Sequence, residues 1–471
     1  MQELIRDTAC AVVEKLRNGE VTPLDLLDVL EARIAEVDDK LNALPILCFD
    51  RARKNAQALM RRPASERGLL AGMPVPIKDL TDVVGVRNTY GSRIFANNVP
   101  ARSDILVERL EENGAVIYAR SNTPEFGAGA NTVNEIFGPT LNPWNPLRSA
   151  AGSSGGAAVA LATGMAWLAH GSDMGGSLRN PASFCSVVGL RPSIGRVAHT
   201  PKFKIDRNLG MPGPMARNVE DVALMLDAMS GEHPGDPLSL PKLTKSFLSA
   251  ARSGINPKRV AYSPDFGITP VDPQVAAITR IAAARFAEVG AIVEEAHPDF
   301  RETHECFHVL RAFDFAVSKA ALLRSNRDLL KADVIWNIEE GLKLTVEQIE
   351  RAEAQRVAMA ARAVDFFKKY DLLLSPATIV EPFAVQDRFV TECDGKRFKH
   401  YVDWVAIASA ITLACCPALS LPCGFTSSGL PVGLQMVAAP RAEGQLLAGA
   451  KMLEDILGVR ENTPIDPRAP T

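Results

Sequence analysis

The 471-residue chain lacks several features that would settle its class at once. It carries no Lys/Arg run or basic stripe, and its net charge is only −3, so nucleic acid is not expected as its main partner. No apolar run is continuous enough for a bilayer. The longest nearly uncharged stretch, AAGSSGGAAVALATGMAWLAHGS, is broken by glycines and polar residues and reads as a buried helix and strand. The N-terminal MQELIRDTACAVVEKLRNGE is amphipathic and charged, unlike a secretory signal. Eight cysteines occur without a CxxC pair, a pattern expected of reduced thiols in a cytoplasmic protein. There is no internal repeat and no low-complexity tract. What remains is an ordinary globular composition, 47% hydrophobic and 23% charged, long enough for one large core or for two to three domains.

The pattern along the chain is helical over the first sixty residues, with Gly19 as a stop and Thr22–Pro23 as a start. From Gly72 it alternates. MPVPIKDL and AVIYA are short β-like runs, and SDILVERLEENG between them is a capped amphipathic helix. The spacing then predicts a helix from SSGGAAVALATG, a strand from MAWLAHGS, a tight turn at GGSLRNPASF and a helix over PGPMARNVEDVALMLDAMSG. After the Pro-rich GEHPGDPLSLPK, RVAYS and AIVEEA flank an Ala-rich helix, and residues 300–370 are helical in spacing. YDLLLSPAT, CPALSLPCGF and LPVGLQMVA read as strands before a final helix. Strand-like runs on both sides of the helical 300–370 stretch predict one sheet built from distant segments.

Two glycine-flanked serine clusters, GSSGG (152–156) and GSDMGGS (171–177), carry the chemistry. The first formally fits the G-x-S-x-G nucleophile elbow, with His304, His308 and His400 downstream as partners for such a triad. A phosphate loop is a poorer fit, because no Lys-Ser/Thr follows the glycines. In the second cluster, two glycines before Ser177 let successive N–H groups converge on one point, where an oxyanion would be stabilised without reorganisation. A plain structural turn fits the same residues. Serine needs a base, and Lys78 stands at the end of the β-like run GMPVPIKDL, where another apolar residue is expected. Burial there would favour its neutral amine; exposure at a strand end would make it an ordinary surface lysine.

Taken in order, GMPVPIKD (72–79), GSSGG (152–156), GSDMGGSLRNPASFCSVVGLRPS (171–193) and the C-terminal CPALSLPCGF…GLPVGLQM resemble the amidase signature family over nearly the whole chain. The separations fit the family's Ser–cis-Ser–Lys triad, seventy-five residues from Lys78 to Ser153 and twenty-four from there to Ser177. The resemblance implies an α/β/α sandwich around a large mixed β-sheet, a single domain over 1–471. Its parts would be an N-terminal helical segment (1–62), a catalytic core (72–230), a variable, partly helical substrate-shaping region (about 240–400) and the C-terminal part of the core (401–471). It implies Ser177 as the nucleophile that forms an acyl-enzyme. Ser153, after a cis peptide bond, would relay a proton, and Lys78, neutral at rest, would be the base. The N–H groups of Met174, Gly175, Gly176 and Ser177 would form the oxyanion hole, with Ser154, Asp173 and Arg179 in support. The implied substrate is a small-molecule carboxylic amide cleaved to acid and ammonia or amine. No cofactor, metal, nucleic acid or membrane is implied, and a homodimer is the family expectation. Ala151, Ser172, Met174 and Asn180 depart from the usual family residues beside the catalytic groups and bear on substrate fit.

Substrate contacts are the least legible part. Phe126, Gly152 and Trp336 are candidates, and Trp144 and Phe313 are further aromatics that serve as acyl-pocket or core residues. Two rival readings stand. HECFH (304–308) is a formal HExxH zinc motif with Glu302, Glu339 or Glu340 as third ligand, although Arg311 stands where the extended metzincin form requires Gly. The glutaminase-type subunit of a transfer-RNA amidotransferase shares the signature, but VIWNIEEGLKL (334–344) departs from what that subunit is expected to carry.

Overall fold

The computed structural model describes residues 2–201 and 209–469. Three helices open the chain, α1 (Ala9–Asn18), α2 (Pro23–Val37) and α3 (Phe49–Met60). Local sequence sets their ends. Thr8 accepts from the Ala11 N–H, Gly19 closes α1 at φ +73°, and Thr22 and Asp25 form a capping box around Pro23. A small sheet follows: β1 (Ile46–Leu47) lies antiparallel to β3 (Val116–Ser121), which runs parallel to β2 (Pro74–Lys78) across the helix α4 (Ile105–Glu112). Two short hairpins, β4 (Val133–Asn134) with β5 (Gly138–Pro139) and β6 (Leu141–Asn142) with β7 (Asn145–Ser149), lead into the core.

The core begins with α5 (Gly155–Ala162), β8 (Leu168–Asp173), α6 (Arg179–Cys185) and β9 (Val188–Arg191). It continues through β10 (Met211–Ala216), α7 (Val219–Met229), α8 (Phe247–Ala251), β11 (Arg259–Tyr262), α9 (Pro273–Ala284) and β12 (Ile292–Glu295). The expected helical stretch is three helices, α10 (Thr303–Asn326), α11 (Ala332–Leu342) and α12 (Val346–Phe366). The chain closes with β13 (Leu372–Pro376), the hairpin β14 (Glu392–Cys393) with β15 (Lys396–Arg397), α13 (Ala406–Leu413), β16 (Ala418–Phe425), β17 (Pro431–Val437) and α14 (Glu443–Leu457).

Eight strands from residues 168 to 437 form one mixed sheet in the order β12-β11-β13-β17-β16-β9-β10-β8. Only β11 with β12 and β11 with β13 are parallel. Every residue of β9, β10, β13 and β17 is buried, so the sheet is covered on both faces. This is the mixed-sheet α/β architecture that the family resemblance implies. One segment differs from the sequence reading: MPGPMA is strand β10, and its helix starts only at Val219, capped by Asn218. Two prolines survive in that interior strand because β10 pairs along its whole length with β8 but meets β9 only at Met215 and Ala216. The eight thiols are unpaired, six of them buried. Among the described residues no helix is long and apolar enough to cross a membrane.

Candidate active site

Lys78 ends β2, a strand of Pro, Val and Ile that is buried at all five positions. Its own N–H donates to the imidazole Nδ1 of His170 on β8 at 3.4 Å, which links the small sheet to the edge of the large one. The side chain is fully buried among hydroxyls, with Nζ 2.7 Å from Ser153 Oγ, 2.8 Å from Ser154 Oγ and 3.1 Å from Ser172 Oγ. No carboxylate pairs with it among the described residues. Burial lowers its pKa from 10.5 to about 7, against a smaller opposing pull from Asp173. Because hydroxyl protons rotate, a neutral amine here can accept from one serine while donating to the others. His170 is buried and neutral, its pKa lowered to about 3 by burial and then by Lys78 and Arg120.

Ser153 sits between the cis Gly152–Ser153 peptide bond and the start of α5. The glycines after it are required by close approach: a Cβ on Gly156 would stand 2.3 Å from the Asn122 backbone nitrogen. The Ser154 N–H donates to the Ser177 carbonyl at 3.2 Å, so the two serine-bearing turns touch. Ser177 is partly exposed, and its hydroxyl has no hydrogen-bond partner among the described residues.

The second turn is held from below by Asp173. Its carboxylate accepts from the Gly176 N–H at 2.9 Å, the Leu178 N–H at 3.1 Å and both Nε and Nη2 of Arg179 at 3.0 and 2.8 Å. Burial alone would raise its pKa, but Arg179 and Arg191 hold it well below the carboxylate range. Arg179 reaches on to the Ala408 carbonyl at 3.0 Å and to Gln435, tying the turn to α13 and β17. Arg179→Met is expected to cost about 3 kcal/mol of unfolding free energy in urea titration, since it strips a buried carboxylate of its main partner. The Gly176 N–H is therefore engaged in this structure. Of the four amides read from the sequence, those of Met174, Gly175 and Ser177 have no acceptor among the described residues. Gly176 holds φ +98°, and a Cβ there would meet Asn180 Oδ1 at 2.4 Å.

Helix α10 walls the site. The Phe307 ring approaches Gly175 closely enough that a Cβ there would lie 2.9 Å from it. Further along the same face, Asp314, Ser318 and Lys319 line a cavity of about 320 Å³ together with Ser172, Met174 and Leu80. An adjoining apolar pocket of about 290 Å³ is lined by Leu80, Tyr90, Phe95, Phe126 and Leu322. Phe126 thus lies at the site, whereas Trp336 is stacked on His400 with ring centroids 4.5 Å apart and lines neither cavity. Gly152 packs against the Asn131 backbone, and Trp144 is buried against Phe425, with its indole N–H on the Cys185 carbonyl. The HExxH residues do not converge: His304 Nε2 is 3.0 Å from the Ile268 carbonyl, and Glu305 pairs with Arg351 at 2.7 Å. The sequence places a partly helical, substrate-shaping region here without naming the residues of this wall. Phe307, Arg311, Asp314, Ser318 and Leu322 follow helical spacing, but the eye-catching histidines lie beside that face.

Comparison with known proteins matches residues 25–447 to the Amidase family model. An acylamidase of Rhodococcus erythropolis is 34% identical over 98% of this chain and 97% of its own. A glutamyl-tRNA(Gln) amidotransferase subunit from Moorella thermoacetica is 33% identical over 96% and 97%. Among solved structures, a bacterial aryl acylamidase superposes with a TM-score of 0.90 at 26% identity, covering 98% of this chain and 99% of that one. A 6-aminohexanoate cyclic dimer hydrolase complexed with substrate gives 0.88 at 28% identity over the same shares.

Proposed function

The chain belongs to the amidase signature family, and from that premise we propose that this amide hydrolase works through Ser177, Ser153 and Lys78. Ser177 Oγ attacks the amide carbonyl carbon. Its proton passes to Ser153, whose own proton moves to the Lys78 amine. The oxyanion forms against the Gly175 and Ser177 N–H groups, fixed donors whose advantage is that they need not reorient. When the tetrahedral intermediate collapses, the C–N bond breaks and the amine departs with the proton returned through Ser153. Water then attacks the acyl-enzyme by the same relay, giving the carboxylic acid and free Ser177. The observation that carries this reading is the buried Lys78 amine 2.7 Å from Ser153 Oγ, displaced toward neutrality by burial.

The substrate is proposed to be a small carboxylic amide whose apolar or aromatic part occupies the Phe126 pocket, since Tyr90, Phe95 and Phe126 pack there within ring-contact distance. Incubation with an aliphatic primary amide, an acyl anilide and glutamine tests this. Acid release from the first two is expected. Turnover of glutamine alone among them would assign the chain instead to the amidotransferase branch of the family.

A further inference from the structure

Among the described residues seven arginines are buried, and six of them donate to a carboxylate or a backbone carbonyl. Arg311 on α10 is the exception. Its Nε and Nη2 reach the Tyr401 hydroxyl at 3.0 and 2.6 Å, and Nη1 reaches only the Met174 thioether at 2.9 Å. The rings of Phe315 and Tyr401 lie against its guanidinium at 4.7 and 5.4 Å. The Tyr401 hydroxyl already accepts from Asn337 Nδ2 at 2.8 Å. Five N–H donors thus face one shared phenol oxygen and one sulfur, a weak acceptor, and Arg311 makes no ion pair among the described residues. An unpaired buried cation is costly.

Its position suggests what completes it. Met174, whose thioether meets Nη1, lines the cavity beside Ser172 and directly precedes the Gly175–Ser177 turn. Methionine is unbranched and re-packs easily, so rotating its thioether would open the guanidinium fork to the cavity. The other acids there do not pre-empt the fork. Asp104 is engaged at the start of α4, accepting from the Leu106 and Thr200 N–H groups at 3.0 and 3.3 Å, and Asp314, one turn on along α10, forms no ion pair with Arg311. Arg311 stands behind Met174 and outside the cavity lining, to which Lys319 contributes a cation of its own.

Resting on the amide-hydrolase reading, we propose that Arg311 determines specificity for amides that carry a carboxylate, which it binds through its planar fork in place of the Met174 sulfur. The carboxylate can sit on the acyl side, as in a dicarboxylic acid monoamide, or on the amine side, as in an N-acyl amino acid. Each is to be compared with its own methyl ester. In the wild-type protein kcat/KM for at least one acid is expected to exceed that of its ester by about tenfold or more, the scale of one charge-assisted contact. Arg311→Met should lower that acid-to-ester ratio about tenfold, with partial recovery in Arg311→Lys. The probe that responds identifies the side of the substrate. Calorimetric binding of the same probes to Ser177→Ala, with and without Arg311→Met, reads the contact independently of turnover. If nothing is hydrolysed, the reaction assignment fails while this comparison still decides Arg311. Equal affinity for acid and ester, or equal losses on both in the Arg311 variants, would overturn the proposal.

Discussion

Ser177→Ala is expected to lower kcat by a factor on the order of 10⁶, as loss of the nucleophile does in other serine hydrolases. The same variant should leave folding almost untouched, within about 0.5 kcal/mol, because the Ser177 hydroxyl is partly exposed and holds no hydrogen bond. That contrast separates a chemical role from a structural one. A slowly hydrolysed aryl ester should leave one acyl group on the wild-type protein by intact mass, and none on Ser177→Ala. Ser153→Ala should behave differently. Its hydroxyl bridges toward the Lys78 amine, so acyl transfer slows by about 10²–10⁴ while the acylated serine remains detectable. Retention of a tenth of wild-type turnover in Ser177→Ala, or an acyl adduct on another residue, would remove the nucleophile assignment.

Much of this was legible in the chain itself, for identifiable reasons. Lys78 stood out because an amine ended a run of Pro and branched aliphatics, and the strand that puts it in the interior follows from those same residues. The glycine clusters marked close backbone approach, and Gly156 and Gly176 do lie where a Cβ would collide with neighbours. Strand β10 was misread because prolines signal a break locally, while tolerance of Pro212 and Pro214 depends on which neighbour pairs at each position. The commitment of the Gly176 amide to Asp173 was hidden for a similar reason. Which N–H points inward is set by the Arg179–Asp173 pair and by α13, more than two hundred residues away. A helical, substrate-shaping region was expected around α10, but which of its residues face the site was obscured by HECFH, a motif whose residues are used for packing and surface pairing.

The largest pH effects are expected at Lys78. If its neutral amine is the base, kcat/KM should fall about tenfold per pH unit below about 7 and level off above it. Lys78→Ala should lose about 10³–10⁴ in kcat and flatten that acid limb. Stability moves in a linked way. The folded pKa is depressed from 10.5 to about 7, so between those values the unfolded chain holds a proton that the folded chain lacks. Stability from this group therefore rises with pH across that window, and its full cost, on the order of 5 kcal/mol, is present at pH 7 and below. Lys78→Met abolishes the dependence. Its stability relative to wild type should be most favourable near pH 6 and should decline by about 2 kcal/mol between pH 7 and pH 9 in denaturant titrations. Hydrogen bonds lost from Ser153, Ser154 and Ser172 lower that curve uniformly without changing its slope, since hydroxyls do not titrate in this range. A wild-type chain and a Lys78→Met chain with parallel stability profiles would mean that the amine is protonated at pH 9, and a protonated amine cannot take the proton from Ser153.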